Sequence, residues 1–147
     1  SRAYVGEILK RAPDVRVYQQ ACPGLVDAIE AGAGEAGTRG MIDGFVGRLL
    51  EAMGDETPDA AVLGCTHYEL VADRFRDALP TRTRLLHQPG LVADSLQDYL
   101  ARHPEFARDG GESGGVAFLT TGDPRRVGGL ASRFFGRDTR FARAGTD

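Results

Sequence analysis

The sequence predicts an α/β fold in which a parallel, doubly wound sheet carries helices on both faces. Short apolar runs, which are typical of buried parallel strands, alternate along the chain with segments of helical periodicity. The chain has 147 residues, of which 41% are hydrophobic, and this is enough to build the core of a single domain.

Strands are predicted where short β-prone or apolar runs end at a turn signal. The run 60–63 is wholly apolar and ends at Gly64, which is the pattern of a buried parallel strand. A second run, 83–86, is followed by a turn that contains Pro89 and Gly90. The complete set of predicted strands is 15–19, 60–63, 83–86, 116–120 and 139–142.

Helices are predicted where apolar residues recur every three to four positions. The clearest case is 38–53, which is followed by Gly54 and a polar stretch that ends in Pro58. The complete set of predicted helices is 25–31, 38–53, 66–79, 91–101 and 124–135.

A polar, Gly-rich stretch at 104–115 is predicted to be a flexible connector. We expect residues 1–103 to form an α/β lobe and residues 116–147 to form a terminal strand–helix segment. No internal repeat and no low-complexity tract interrupts this organisation.

Charge and composition argue against several classes of protein. Eighteen basic and 21 acidic residues give a net charge of −3 without a basic cluster, so we expect no nucleic-acid partner. No apolar run has the length of a membrane span and no signal peptide is visible, so we expect a cytoplasmic protein without membrane contact. Both cysteines are then expected to be free thiols, with a Cys22–Cys65 disulfide as the lesser alternative.

The carboxyl ends of the predicted strands are where a doubly wound sheet binds its ligands. This rule selects the turns 64–67, 87–90 and 120–123. In the third turn, Asp123 precedes a proline at a predicted helix start, so it is more simply interpreted as a helix cap than as a ligand contact.

The turn Gly64-Cys65-Thr66-His67 concentrates groups that can move a proton. Its predicted position at a helix start favours an ionised thiol at Cys65, and free N–H groups there can receive a carboxylate. Thr66 adds a hydroxyl, and His67 adds an imidazole that accepts or donates a proton near neutral pH. The pattern therefore indicates acid/base chemistry on a small anionic substrate.

Three other interpretations of the same turn stay open. Cys65 can be a small packing residue in the core. It can be a metal ligand, although no further Cys or His has ligand spacing and we expect no metal. It can also be the nucleophile of a Cys-His hydrolase, although His67 is too close to Cys65 in sequence to be the usual distant base.

The segment 62–68 (VLGCTHY) resembles the second catalytic-cysteine motif of glutamate racemases, in the cofactor-independent aspartate/glutamate racemase superfamily. The segment 21–32 (ACPGLVDAIEAG) is similar to the family segment that ends in a functional glutamate, here Glu30. The segments 118–124 (FLTTGDP) and 134–136 (FFG) are similar to the family's last strand and helix. The resemblance covers nearly the whole chain in the right order.

The resemblance implies racemisation of glutamate by two cysteines that act on opposite faces of the α-carbon, without pyridoxal phosphate or another cofactor. Cys65 would be one acid/base, His67 would assist it and also contact the substrate, Thr66 would bind the substrate, and Glu30 would be a supporting ionisable group. The family places its other catalytic cysteine in an N-terminal half that this chain lacks. Cys22 matches a structural position and does not replace it.

The same resemblance implies that the chain corresponds to the second of two lobes plus a C-terminal segment that returns to the first lobe. Half an active site is then expected, which is inactive alone, in an enzyme that supplies D-glutamate for peptidoglycan. The alternatives are a racemase or isomerase for aspartate or another small acid, and a non-catalytic ligand-binding domain. His67 favours glutamate, because relatives that act on aspartate tend to have an acidic residue there. A homodimer stays open.

Overall fold

A computed structural model describes residues 2–33, 35–106 and 116–145 of the chain. Helices alternate with short strands, and both strand pairs are parallel, which confirms the predicted α/β fold. The chain forms two compact units, Ser1–Leu86 and His87–Asp147. The described strands form two separate pairs, so the larger doubly wound sheet stays a prediction. The division of the chain at a connector 104–115 also stays a prediction, because residues 107–115 lie outside the described residues.

The first unit contains a two-stranded parallel sheet in which Ala60 pairs with Arg84 and Val62 with Leu86. Its elements are α1 Arg2–Arg11, α2 Leu25–Glu30, α3 Glu35–Met53, β1 Ala60–Val62, a 3₁₀-helix Thr66–Val71, α4 Ala72–Ala78 and β2 Arg84–Leu86. Helix α3 packs against both α2 and α4. The core consists of buried apolar side chains from these elements, among them Leu25, Ile42, Phe45, Phe75 and Leu85.

The second unit contains a second parallel strand pair, with Phe118 opposite Phe141. Its elements are α5 Gln88–Arg102, a short 3₁₀-helix Pro104–Phe106, β3 Phe118–Thr120, α6 Pro124–Phe135 and β4 Phe141–Arg143. Helix α6 lies so close to the segment before β4 that a Cβ atom added at Gly128 would meet the Thr139 carbonyl oxygen at 3.0 Å. Within the described ranges, no helix combines the length and the hydropathy that crossing a membrane requires.

Several local expectations differ from the structure. Residues 15–19 do not form a strand; Arg16 and Tyr18 reach Glu56 instead, and the described residues place no ladder partner beside the run. Helix α1 has no counterpart among the predicted helices. Val5 and Ile8 in α1 are three positions apart, as on one face of a helix, and both are half-buried.

The predicted helix 66–79 is two elements rather than one. Its first part is a 3₁₀-helix, Thr66–Val71, and α-helical geometry begins only at Ala72. Val71 lies at the junction with φ −129° and ψ 25°, which is not a helical conformation, and its side chain is buried. Cys65 therefore precedes a short 3₁₀-helix, which carries less of an aligned peptide dipole than the long α-helix that the periodicity predicts.

Candidate active site

Cys65 lies where the chain leaves β1 and enters the 3₁₀-helix. Its backbone is extended, with φ −143° and ψ 135°, and its half-buried thiol does not cap the helix that follows. The Tyr68 N–H donates to the Cys65 carbonyl at 3.0 Å and closes the first turn. The orientation of the thiol therefore depends on where this turn is held.

His67 and Glu30 are in direct contact although they are 37 positions apart in the sequence. The His67 Nε2 and Glu30 Oε1 atoms are 3.1 Å apart, and the side chains are 35% and 34% exposed. Glu30 is the last residue of α2, so this contact joins the end of that helix to the turn that carries Cys65. Three of the predicted site residues, Cys65, His67 and Glu30, are thus brought to one region, and Thr66 lies exposed between the first two.

Tyr68 and Cys22 form a second connection between the same two elements. The Tyr68 hydroxyl donates to the Cys22 carbonyl at 3.4 Å, and the same carbonyl accepts the Leu25 N–H at 3.3 Å at the start of α2. The Tyr68 ring packs on the buried Phe75, with ring centroids 5.7 Å apart. The 3₁₀-helix is therefore joined to α2 near both ends of that helix.

Two groups beside Cys65 hold their protons more tightly than usual. Burial raises the pKa of the Cys22 thiol, with a further rise from Cys65, while a hydrogen bond with Tyr68 and the charge of Arg48 act in the opposite direction. Burial also raises the pKa of Tyr68 to about 12, helped by the nearby Cys22 and Cys65 thiols. Both groups are accordingly uncharged at neutral pH, and both cysteines are free thiols.

The arrangement is suited to proton transfer. A thiol and an imidazole on one turn can give protons to a bound molecule or take them from it, and a carboxylate at 3.1 Å can orient the imidazole. In the part of the chain that the structure describes, no group of three or more His, Cys, Asp or Glu side chains has the arrangement of a metal site.

The other two predicted ligand turns belong to the second unit. Asp123 caps α6, as predicted, because its carboxylate accepts the N–H groups of Arg125 and Arg126 at 2.8 and 3.4 Å. An open cleft of about 670 Å³ lies beside this cap and is lined by Thr121, Gly122, Asp123, Pro124, Arg125 and Arg143. The expected turn 87–90 is mostly helical instead, because α5 begins at Gln88 with Pro89 in its first turn, and His87 immediately precedes the helix.

The sequence indicated no role for Tyr68 and only a structural role for Cys22. Tyr68 directly follows the Cys-Thr-His motif, which was a signal that it lies near the site. Its contact with the Cys22 segment joins residues 46 positions apart, and no local pattern could have indicated it.

Comparison with known proteins found glutamate racemases. The chain is 50% identical to glutamate racemase from Phenylobacterium zucineum over 136 residues, which cover 92% of this chain and 47% of that protein. It is 47% identical to glutamate racemase from a Caulobacter species over 144 residues, covering 98% of this chain and 50% of that protein. The chain therefore spans about half the length of these curated relatives.

Solved structures show the same fold. The glutamate racemase isoform RacE1 from Bacillus anthracis matches with a TM-score of 0.79 at 21% identity, over 99% of this chain and 52% of that one. The glutamate racemase from Francisella tularensis in complex with D-glutamate matches with a TM-score of 0.76 at 20% identity. No protein-family model matches the chain. The predicted resemblance is nevertheless confirmed by the curated relatives, and the chain is homologous to glutamate racemases over their C-terminal portion.

Proposed function

We propose that this chain supplies the Cys65 side of the active site of a glutamate racemase that interconverts L- and D-glutamate. The observation that carries the proposal is the contact of His67 with Glu30 beside Cys65, in a chain 47–50% identical to glutamate racemases. The solved relative with D-glutamate bound supports a free amino acid as the ligand.

Racemisation breaks the C–H bond at the α-carbon and forms it again on the opposite face. One thiolate takes the proton, the electron pair stays on the α-carbon, and a thiol on the far side returns a proton to it. We assign the Cys65 thiol to one face, with His67 as its proton-transfer partner, Thr66 as a substrate contact and Glu30 as the group that orients His67. Because an amino-acid α-hydrogen is very weakly acidic, the carbanion needs fixed donors in a site that excludes water. No cofactor is assigned to these steps.

The second cysteine is assigned to the part of the relatives that lies outside this chain. Cys22 is a poor candidate for it, because burial raises the pKa of its thiol and so disfavours the thiolate. We therefore infer that the 147-residue chain does not racemise glutamate alone. We place the complete enzyme in the cytoplasm as the source of D-glutamate for peptidoglycan, without a nucleic-acid or membrane partner, and a homodimer stays open.

The proposal is tested by α-proton exchange in D₂O, followed by proton NMR on the complete gene product. D- and L-glutamate and D- and L-aspartate are offered separately, without added cofactor, and the 147-residue chain is measured in parallel. Exchange with glutamate supports the proposal. Exchange with aspartate alone indicates the related small-acid racemase. A folded protein that exchanges none of them indicates a non-catalytic ligand-binding domain, and turnover by the isolated chain contradicts the assignment of a half-site.

A further inference from the structure

We propose that Tyr68 is a positioning residue for Cys65 and His67, because it fixes the 3₁₀-helix that follows Cys65 and contains His67 against α2 and α4. This inference rests on the proposed function and adds to it a residue with no contact to substrate. It concerns the placement of the acid/base groups rather than the proton transfer itself.

The 3₁₀-helix needs such an anchor because it is intrinsically weak. It has six residues, Thr66–Val71, and 3₁₀ geometry gives poorer hydrogen bonds than an α-helix. Its N-terminal neighbour Cys65 is in extended conformation and adds no side-chain cap. Tertiary contacts must therefore hold the turn in place.

Two described contacts hold the 3₁₀-helix against α2. At the start of α2, the Tyr68 hydroxyl bonds to the Cys22 carbonyl at 3.4 Å. At the end of α2, Glu30 bonds to His67 at 3.1 Å. Two contacts near opposite ends of a helix restrain the turn against sliding and rotation more than one contact does. Tyr68 thus provides the contact that His67 and Glu30 do not.

The ring of Tyr68 holds the 3₁₀-helix against α4 and is the stronger of the two contacts that Tyr68 makes. It packs on Phe75, which is only 6% exposed, with ring centroids 5.7 Å apart and an interplanar angle of 37°. The hydroxyl bond at 3.4 Å is longer than the usual range for an oxygen donor, so it is the weaker of the two contacts. Removing the ring should therefore do more than removing the hydroxyl.

The Tyr68 side chain also stays uncharged at neutral pH. Burial raises the pKa of Tyr68 to about 12, so the hydroxyl remains a donor and places no negative charge beside Cys65 at neutral pH. The Cys22 thiol, whose pKa is raised chiefly by burial, is likewise neutral there. The contact of Tyr68 with the Cys22 segment consequently keeps its charge state across the neutral range.

The test compares Tyr68→Phe and Tyr68→Leu in the complete gene product, with Tyr18→Leu as the matched control. Tyr18 is an exposed tyrosine that bonds to Glu56 instead of the Cys22 segment. Since a displacement of about 1 Å can cost about a hundredfold in rate, Tyr68→Leu should lower kcat by about ten- to a hundredfold and change KM far less. Tyr68→Phe keeps the ring contact and loses only the hydroxyl bond, so it should lower kcat less than Tyr68→Leu does, and Tyr18→Leu should leave kcat and KM unchanged.

An unchanged kcat in folded Tyr68→Leu, or a loss confined to KM, would overturn the proposal. Circular dichroism establishes whether each variant is folded. If Tyr68→Leu does not fold, Phe75→Leu takes its place, because it keeps an apolar core residue and removes the ring partner of Tyr68. Its kcat should fall in the same direction, and an unchanged kcat overturns the proposal equally.

A second readout separates this proposal from the proposed function. Iodoacetamide alkylation of Cys65 in the native protein, followed over time by mass spectrometry, reports the placement of the thiol without any substrate. Loss of the ring contact should raise the rate of Cys65 alkylation about fivefold, whereas Tyr68→Phe should leave this rate near that of the unmodified protein. Equal Cys65 alkylation rates in all variants overturn the positioning role. Absence of racemisation in the unmodified protein contradicts the proposed function alone.

Discussion

The contact between Glu30 and His67 is the link whose strength the structure allows us to predict most directly. The perturbation is a double-mutant cycle with Glu30→Ala, His67→Ala and the combined variant. The cycle isolates the pairwise free energy, because other contacts of each side chain cancel between its two arms.

The magnitude follows from the distance and the exposure of the pair. At 3.1 Å the contact is a hydrogen bond between an imidazole nitrogen and a carboxylate oxygen, and hydrogen bonds to charged groups contribute about 1.5–3 kcal/mol. Each side chain is about one third exposed, at 35% and 34%, so water screens much of this attraction. We therefore expect a coupling free energy of about 1 kcal/mol, in the upper part of the range for exposed pairs.

Equilibrium urea unfolding at neutral pH, followed by circular dichroism, measures the coupling. Glu30→Gln serves as the matched control, because the amide oxygen can still accept a hydrogen bond while the charge is lost. It should retain part of the coupling. A coupling indistinguishable from zero would mean that this contact does not hold the Cys65 turn to α2.

Three further predictions concern backbone packing, capping and pH. Gly129→Ala should stabilise α6 by about 0.5–1 kcal/mol, because nothing lies within 4 Å of the added Cβ. Gly128→Ala should destabilise the protein by about 1 kcal/mol or more, because its Cβ would lie 3.0 Å from a backbone carbonyl. Equal shifts of the two melting temperatures contradict this close packing. Asp123→Ala should cost about 1 kcal/mol of unfolding free energy in urea, and Asp123→Asn should cost less; an unaffected Asp123→Ala variant contradicts the cap. The pKa of Tyr68 is raised in the folded state from 10.0 to about 12, so the folded protein binds more protons than the unfolded chain in that interval. The stabilisation, on the order of 1 kcal/mol after solvent screening, is present below pH 10 and is lost as the pH rises to about 12. Tyr68→Phe should abolish this loss of unfolding free energy between pH 10 and about 12 in urea unfolding. An unchanged pH profile in Tyr68→Phe argues against Tyr68 as its source.

Local signals predicted the elements that local physics determines. Helix α6 has the predicted bounds, because Asp123 and Pro124 mark its start and Gly136, at φ 63°, ends it. The strands β1 and β2 lie inside the predicted runs 60–63 and 83–86, where apolar residues are flanked by turn residues. In each case the deciding residues are neighbours in sequence.

Contacts between residues that are far apart in sequence determine the features that local signals did not predict. The run 15–19 has strand-like composition, but a strand also needs a hydrogen-bonded neighbour, which sequence alone cannot supply. The helix breaks at Val71, whose side chain is buried in the core. Within the site, the Cys65 turn was found from its chemistry, and Glu30 was linked to it by the family resemblance alone. Tyr68 was missed because its partners lie far along the chain or in another element.

Cys65→Ser in the complete gene product tests whether Cys65 serves one face of the α-carbon. Proton NMR in D₂O measures α-proton exchange from D- and L-glutamate, with Cys22→Ser as the matched cysteine control. We expect exchange from one enantiomer to fall by about a hundredfold or more relative to the other, while glutamate binding is largely kept. Equal loss for both enantiomers together with misfolding, or no loss at all, would contradict this role and make Cys65 a structural residue.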